Sequence, residues 1–109
     1  ASGILTFKNA DAVREVFKKI PLDRIVVETD APLLAPTPLR GKTCEPWMVK
    51  KTAVMLAHIK DVKIKKLEAI LYENTFKLYP KIKLYERPQK QFDNPESPEN
   101  TEIDTTNEE

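Results

Sequence analysis

Between Arg24 and Pro32 the chain reads Arg-Ile-Val-Val-Glu-Thr-Asp-Ala-Pro, so β-branched residues lead directly into two carboxylates before a proline stops the run. Side chains alternate across an extended segment, which places Glu28 and Asp30 on one face and Val27 and Thr29 on the other. This is how a buried strand delivers acidic ligands to a pocket. An aspartate at a strand's C-terminal end can ligate a metal or accept the proton of an attacking water. The plainer role for Asp30 is that of a strand-end acid accepting backbone N–H groups. Glu28 either supports the ligand shell from the same face or pairs with Arg24 or Arg40.

The elements that must position these acids are set by periodicity. Gly3-Ile4-Leu5-Thr6-Phe7 is a short β-prone run, and Asn9 is placed to cap the segment after it. Val13, Val16, Phe17 and Ile20 recur at spacings of three and four until Pro21, which predicts a helix. Ile25 to Val27 is the second expected strand. Two strands joined by a helix make a βαβ unit with parallel pairing and a right-handed crossover. From Ala31 to Pro46, four prolines (Pro32, Pro36, Pro38, Pro46) and Gly41 predict a stiff irregular loop beyond the strand end. Arg40 and Lys42 flank Gly41 there and are the candidates for meeting a phosphate. The alternative is that Arg40 pairs with Glu45 and locks the loop. A helix from about Trp47 to Ile59 is expected to bury Val49, Ala53, Leu56 and Ala57. Another, from about Ile64 to Tyr79 and interrupted near Asn74, is expected to bury Leu67, Ile70, Leu71, Phe76 and Leu78. Trp47 is read as a packing residue, with base stacking beside Arg40 the competing role.

Composition bounds the function classes. At 109 residues the chain forms at most one small domain, read here as residues 1–80. Its net charge of +1 conceals an asymmetry: +7 up to Tyr85 and −6 from Glu86 onward. The basic part could attract a polyanion, although Lys18, Lys19, Lys50, Lys51, Lys65 and Lys66 suit the solvated faces of helices. Residues 81–109, rich in proline and acids, are expected to be a disordered tail. Cys44 is the single cysteine, which excludes an internal disulfide and a Cys-rich metal site; it would be reactive only if a nearby cation such as Lys42 lowered its pKa. His58, the single histidine, is expected on a helix flank, partly buried, with Asp61 its only nearby acid. No apolar run approaches the ~20 residues of a membrane span, so the reading is soluble and cytoplasmic, with no membrane partner.

Five blocks then carry a resemblance. Residues 3–10 (Gly-Ile-Leu-Thr-Phe-Lys-Asn-Ala), 20–24 (Ile-Pro-Leu-Asp-Arg), 28–32 (Glu-Thr-Asp-Ala-Pro), 38–42 (Pro-Leu-Arg-Gly-Lys) with Glu45-Pro46, and Asn74 with Leu78 resemble, in order and spacing, the C-terminal part of TatD-like deoxyribonucleases. The resemblance implies an α/β fold, the C-terminal fragment of a TIM-like barrel with two parallel strands, three or four helices and the acidic tail. It implies metal-dependent phosphodiester hydrolysis with DNA as substrate, Asp30 as catalytic and metal-site residue, and Glu28 beside it. The cofactor implied is Mg²⁺, Mn²⁺ or Zn²⁺. The departures are equally specific: the His-x-His pair, the Glu and the two further His of the family are outside this sequence. Thr43 and Cys44 stand where the family usually has Arg and Asn, which removes a phosphate contact and a two-way hydrogen-bonding group. A barrel needs about 250 residues, so the chain is expected to be inactive unless a complementing N-terminal fragment supplies the missing ligands. A non-catalytic remnant and a nucleic-acid or protein interaction module are the alternatives.

Overall fold

The computed structural model describes residues 1–85, with side chains through Ile82. Gly3–Thr6, the β-prone run, does not extend but winds into a 3₁₀ turn. Its own polar groups explain why: the Thr6 hydroxyl donates to the Gly3 carbonyl at 2.7 Å and accepts from the Thr37 N–H at 2.8 Å. A side chain at Gly3 would put its Cβ 2.9 Å from the Leu34 carbonyl, so only glycine permits this approach.

Helix α1 covers Asp11–Lys19 and is capped by Ala10 rather than Asn9, with no side-chain hydrogen bond at the cap. Arg14 performs the joining work instead. Its guanidinium donates to the carbonyls of Leu5 (3.0 Å) and Phe7 (2.6 Å) and to Asp11 (2.6 Å). At the other end of α1, Lys60 Nζ donates to the carbonyls of Phe17, Lys18 and Ile20 at 3.0, 2.9 and 2.5 Å. A 3₁₀ turn over Leu22–Arg24 then releases the chain into an extended path.

Residues 25–30 form no helix or turn and set out extended at Ile25 (φ −117°, ψ 137°), yet no β-strand is present among the described residues. The expected pair of parallel strands is therefore corrected to a single rung. The Ala1 ammonium donates to the Val26 carbonyl (2.6 Å) and the Glu28 N–H donates to the Ala1 carbonyl (2.9 Å), the pattern by which one residue of a parallel ladder brackets its neighbour. The physical reason is that the run expected to pair, residues 3–7, turns away after Ser2. Alternation nevertheless holds in residues 25–30: Ile25 is 2% exposed and Val27 packs on the core, whereas Glu28 and Asp30 are exposed.

Helix α2 covers Val49–Lys60 after a 3₁₀ turn over Pro46–Met48, and ends on Asp61 in the left-handed conformation (φ 53°). Helix α3, Ile64–Leu78, runs through Asn74 without the expected interruption. Asn74 is buried and its amide donates to the carbonyls of Leu22 and Ile25, both at 2.7 Å, so it pins the start of the extended segment without disturbing its own helix. Leu5, Ile25, Ala53, Leu56, Ala57, Leu67 and Leu71 form the main core, with Val13, Phe17, Ile20 and Val27 packed around it. Leu78, expected inside, is 55% exposed. Pro80–Tyr85 forms a further 3₁₀ stretch, past the expected start of the tail at 81; the rest of that tail lies outside the described residues. No described helix is long and apolar enough to cross a membrane.

Candidate functional site

The acidic pair sits where the extended segment ends. Asp30 accepts the Leu33 N–H on its carbonyl (2.8 Å), and Pro32 accepts the Cys44 N–H (2.9 Å), so the proline loop starts at Asp30 and its far end is fastened back beside it. Both acidic side chains are exposed, on the face that also carries Val26. Glu28 lies near the Ala1 ammonium. Burial lowers the pKa of that ammonium below its ordinary value, and the Glu28 carboxylate opposes the shift.

Arg40 is spoken for by the loop itself. Its Nη1 donates to the Ala35 carbonyl at 2.9 Å and its guanidinium carbon stands 4.0 Å over the Phe7 ring. The Arg40–Glu45 pair is thereby replaced by contacts that tie the loop to the first turn of the chain. Glu45 accepts the Trp47 indole N–H at 3.0 Å and fixes the start of the Pro46–Met48 turn. Lys42 is exposed and carries its charge to solvent. Cys44 is 3% exposed and packs with Ala35 and Met48 and against Leu39, an apolar setting that leaves a structural rather than a reactive thiol. His58 is exposed on α2 rather than partly buried, and Trp47, expected to pack, is 43% exposed.

The donor set can be tested against a divalent ion. Such an ion asks for four ligands in a tetrahedral zinc site or about six oxygens around magnesium. Glu28 and Asp30 offer hard oxygens of the right kind, but among the described residues no group of three or more His, Cys, Asp and Glu comes together. Those residues do not by themselves fit a metal. A separate open cleft of about 420 Å³ is lined by Asp23, Arg24, Val26, Asn74, Lys77 and Leu78. It lies at the start of the extended segment, at the opposite end from Asp30. Sequence reading missed it because Lys77 reaches it from α3, a contact that no local pattern encodes.

A profile of the family described as TatD related DNase matches residues 1–80. The chain belongs to the TatD family. YcfH from Escherichia coli K12, titled an uncharacterized metal-dependent hydrolase, is 44% identical over 78 residues, which cover 72% of this chain and 29% of YcfH. YabD from Bacillus subtilis strain 168, with the same description, is 44% identical over 77 residues, 71% of this chain and 30% of YabD. Among solved structures, the crystal structure of YJJV, a TatD homolog from Escherichia coli K12, superposes with a TM-score of 0.63 at 25% identity, over 69% of this chain and 29% of that one. This TatD-family chain thus spans about three tenths of the length of the curated relatives it matches.

Proposed function

We propose that residues 1–80 are the closing part of a TIM-like barrel in a divalent-metal-dependent hydrolase acting on DNA phosphodiesters. In this reading Asp30 is a carboxylate of the metal site, Glu28 supports it, and the remaining ligands come from residues outside the described chain. Mg²⁺, Mn²⁺ or Zn²⁺ is the cofactor class. The observation that supports the reading is the outward presentation of Asp30 and Glu28 from one face of a segment whose other face is buried in the core. In a closed barrel that outward face is the interior. The Ala1 rung on Val26 and Glu28 agrees, since it is the first step of a parallel ladder.

Two carboxylates do not make a metal centre, so no hydrolytic step is assigned to the chain alone. Its contribution is positional. Lys42 brings positive charge to the same end of the fold, and Arg40, held on Phe7 and Ala35, stiffens the loop that carries it.

The test is a chimaera in which residues 1–80 replace the matching C-terminal portion of YcfH. Metal-dependent cleavage of DNA is expected, and Asp30→Asn is expected to lower it by about 10²–10⁴-fold, the range for loss of a group that acts on the reacting water. The 109-residue chain alone is expected to cleave nothing under the same conditions. A folded chimaera whose cleavage is indifferent to Asp30→Asn overturns the assignment.

A further inference from the structure

Asn74 is a polar residue on a face that apolar packing would otherwise fill. It is 5% exposed, and its spacing along α3 puts it on the side that carries the core leucines Leu67 and Leu71. Both amide hydrogens are spent on main chain: Nδ2 donates to the carbonyls of Leu22 and Ile25, each at 2.7 Å. Leu22 opens the 3₁₀ turn and Ile25 follows its last residue, so the two carbonyls mark the point where the chain leaves the turn and sets out toward Asp30. One side chain thus holds the turn and the segment together. The two contacts span 52 and 49 residues of sequence, so they are a reference that residues 25–30 do not carry themselves.

The segment needs such a reference. Ile25, Val26 and Val27 are all β-branched and each suits a core position, so the apolar pattern there discriminates weakly between one facing and its opposite. A slip of one residue would turn Val26, Glu28 and Asp30 toward the core and Ile25 and Val27 away from it. The observed facing is the other one: Ile25 is 2% exposed, and Glu28 and Asp30 are exposed. Asn74 favours it because its two donors match carbonyls three residues apart. A shift of the segment breaks that match and leaves a buried donor and buried carbonyls unsatisfied.

We propose that Asn74 is a positioning residue for the acidic pair: from α3 it fixes the register in which residues 25–30 present Glu28 and Asp30. This rests on the metal-site reading of Asp30 above and adds to it the residue that aims the carboxylate. Asn74 acts through the main chain and not on substrate, so it is tested by what it does to Asp30.

Two variants separate aiming from simple support of the fold. Asn74→Leu keeps the branched outline and removes the donors, whereas Asn74→Gln keeps the donors on a longer stem and carries the same comparisons should Asn74→Leu not fold. In the 109-residue chain, Asn74→Leu is expected to speed hydrogen exchange of the Glu28 amide, which donates to Ala1, about tenfold more than it speeds exchange in α2. A change at Glu28 no larger than that in α2 reports general loosening and overturns the positioning role. In the YcfH chimaera, Asn74→Leu is expected to raise the Mn²⁺ concentration for half-maximal DNA cleavage about tenfold, as loss of a group that orients a metal ligand does. Once Asp30 is replaced in Asp30→Asn, the same change is expected to leave the Mn²⁺ requirement of the residual cleavage unaltered, because two residues that act as a unit are not additive. An equal effect in both backgrounds overturns the positioning role and leaves the hydrolase reading standing. A folded parent chimaera that cleaves no DNA overturns both.

Discussion

At the scale of single residues, the chain places its charges according to what each can reach. Arg14 and Lys60 each direct several donors at main-chain carbonyls, and Arg40 divides its guanidinium between a carbonyl and an aromatic face. These are fastenings of one part of the fold to another. Asp30 and Glu28 are left facing outward. Thr52 is the converse case: its hydroxyl is fully buried in α2 with no hydrogen-bond partner among the described residues, a position where valine would fill the same space and leave no polar atom unpaired. The half-buried Ala1 ammonium gives a pH signature. Burial lowers its pKa in the folded chain, so the unfolded chain binds the proton more tightly between the folded value and the ordinary value near 8. Stability is thus expected to rise with pH through that window and to be lost as pH falls through it. An N-acetylated chain keeps an N–H for the Val26 carbonyl but has no charge to desolvate. Urea midpoints of the free and acetylated chains should converge as pH is raised past about 8 and separate below it, the acetylated one higher. A gap that does not change with pH would refute this account.

At the scale of elements, the helices were legible because their signals are local. Val13, Val16, Phe17 and Ile20 with a terminal proline specify α1, and the apolar spacings of α2 and α3 fall within one or two residues of the observed bounds. The first strand was not legible. Ile4 to Phe7 has β-prone composition, but a strand is a pairing, and pairing is decided by chain elsewhere; the Thr6 hydroxyl and the close approach at Gly3 favoured a turn. Asn74 failed for a related reason: in isolation it reads as a helix interruption, whereas its buried amide joins α3 to residues 22 and 25. Of the candidate site, the face shared by Glu28 and Asp30 was readable from strand periodicity, while the partners of Arg40 and Glu45 depended on a loop without any period. Lys60 is the long-range fastening that most affects helix placement, since α2 thereby caps the C-terminal carbonyls of α1. Lys60→Met retains the stem and removes the donors. It is expected to lower the unfolding free energy by about 1–3 kcal/mol, measured by urea denaturation. A change within about 0.5 kcal/mol would match an ordinary surface substitution and would mean that water serves those carbonyls equally well.

For the whole molecule, the question is which surfaces are finished. The core between α1, α2, α3 and the inner face of residues 25–30 is continuous, and the second cluster of Ala35, Cys44 and Met48 closes the proline loop onto α2. What stays open is an edge. Glu28 N–H and the Val26 carbonyl are taken by Ala1, whereas Val27 and Thr29 direct their main-chain groups to the other side and find no hydrogen-bond partner among the described residues. An extended segment with one edge half-occupied and the other vacant is unstable in water and a template for pairing. If it is the last strand of a barrel, both edges must fill when the rest of the barrel is present. Hydrogen exchange distinguishes the two states residue by residue. In the isolated chain the Val27 and Thr29 amides are expected to exchange much faster than the Glu28 amide, with the amides of α2 the slowest. In the YcfH chimaera all three should slow, Val27 and Thr29 by about 10²-fold or more, because each gains a ladder partner inside a structure that opens only globally. Protection at Glu28 alone, in both contexts, would mean that the segment is a loop which one residue happens to touch, and the barrel reading would lose its structural basis even if the chimaera retained activity.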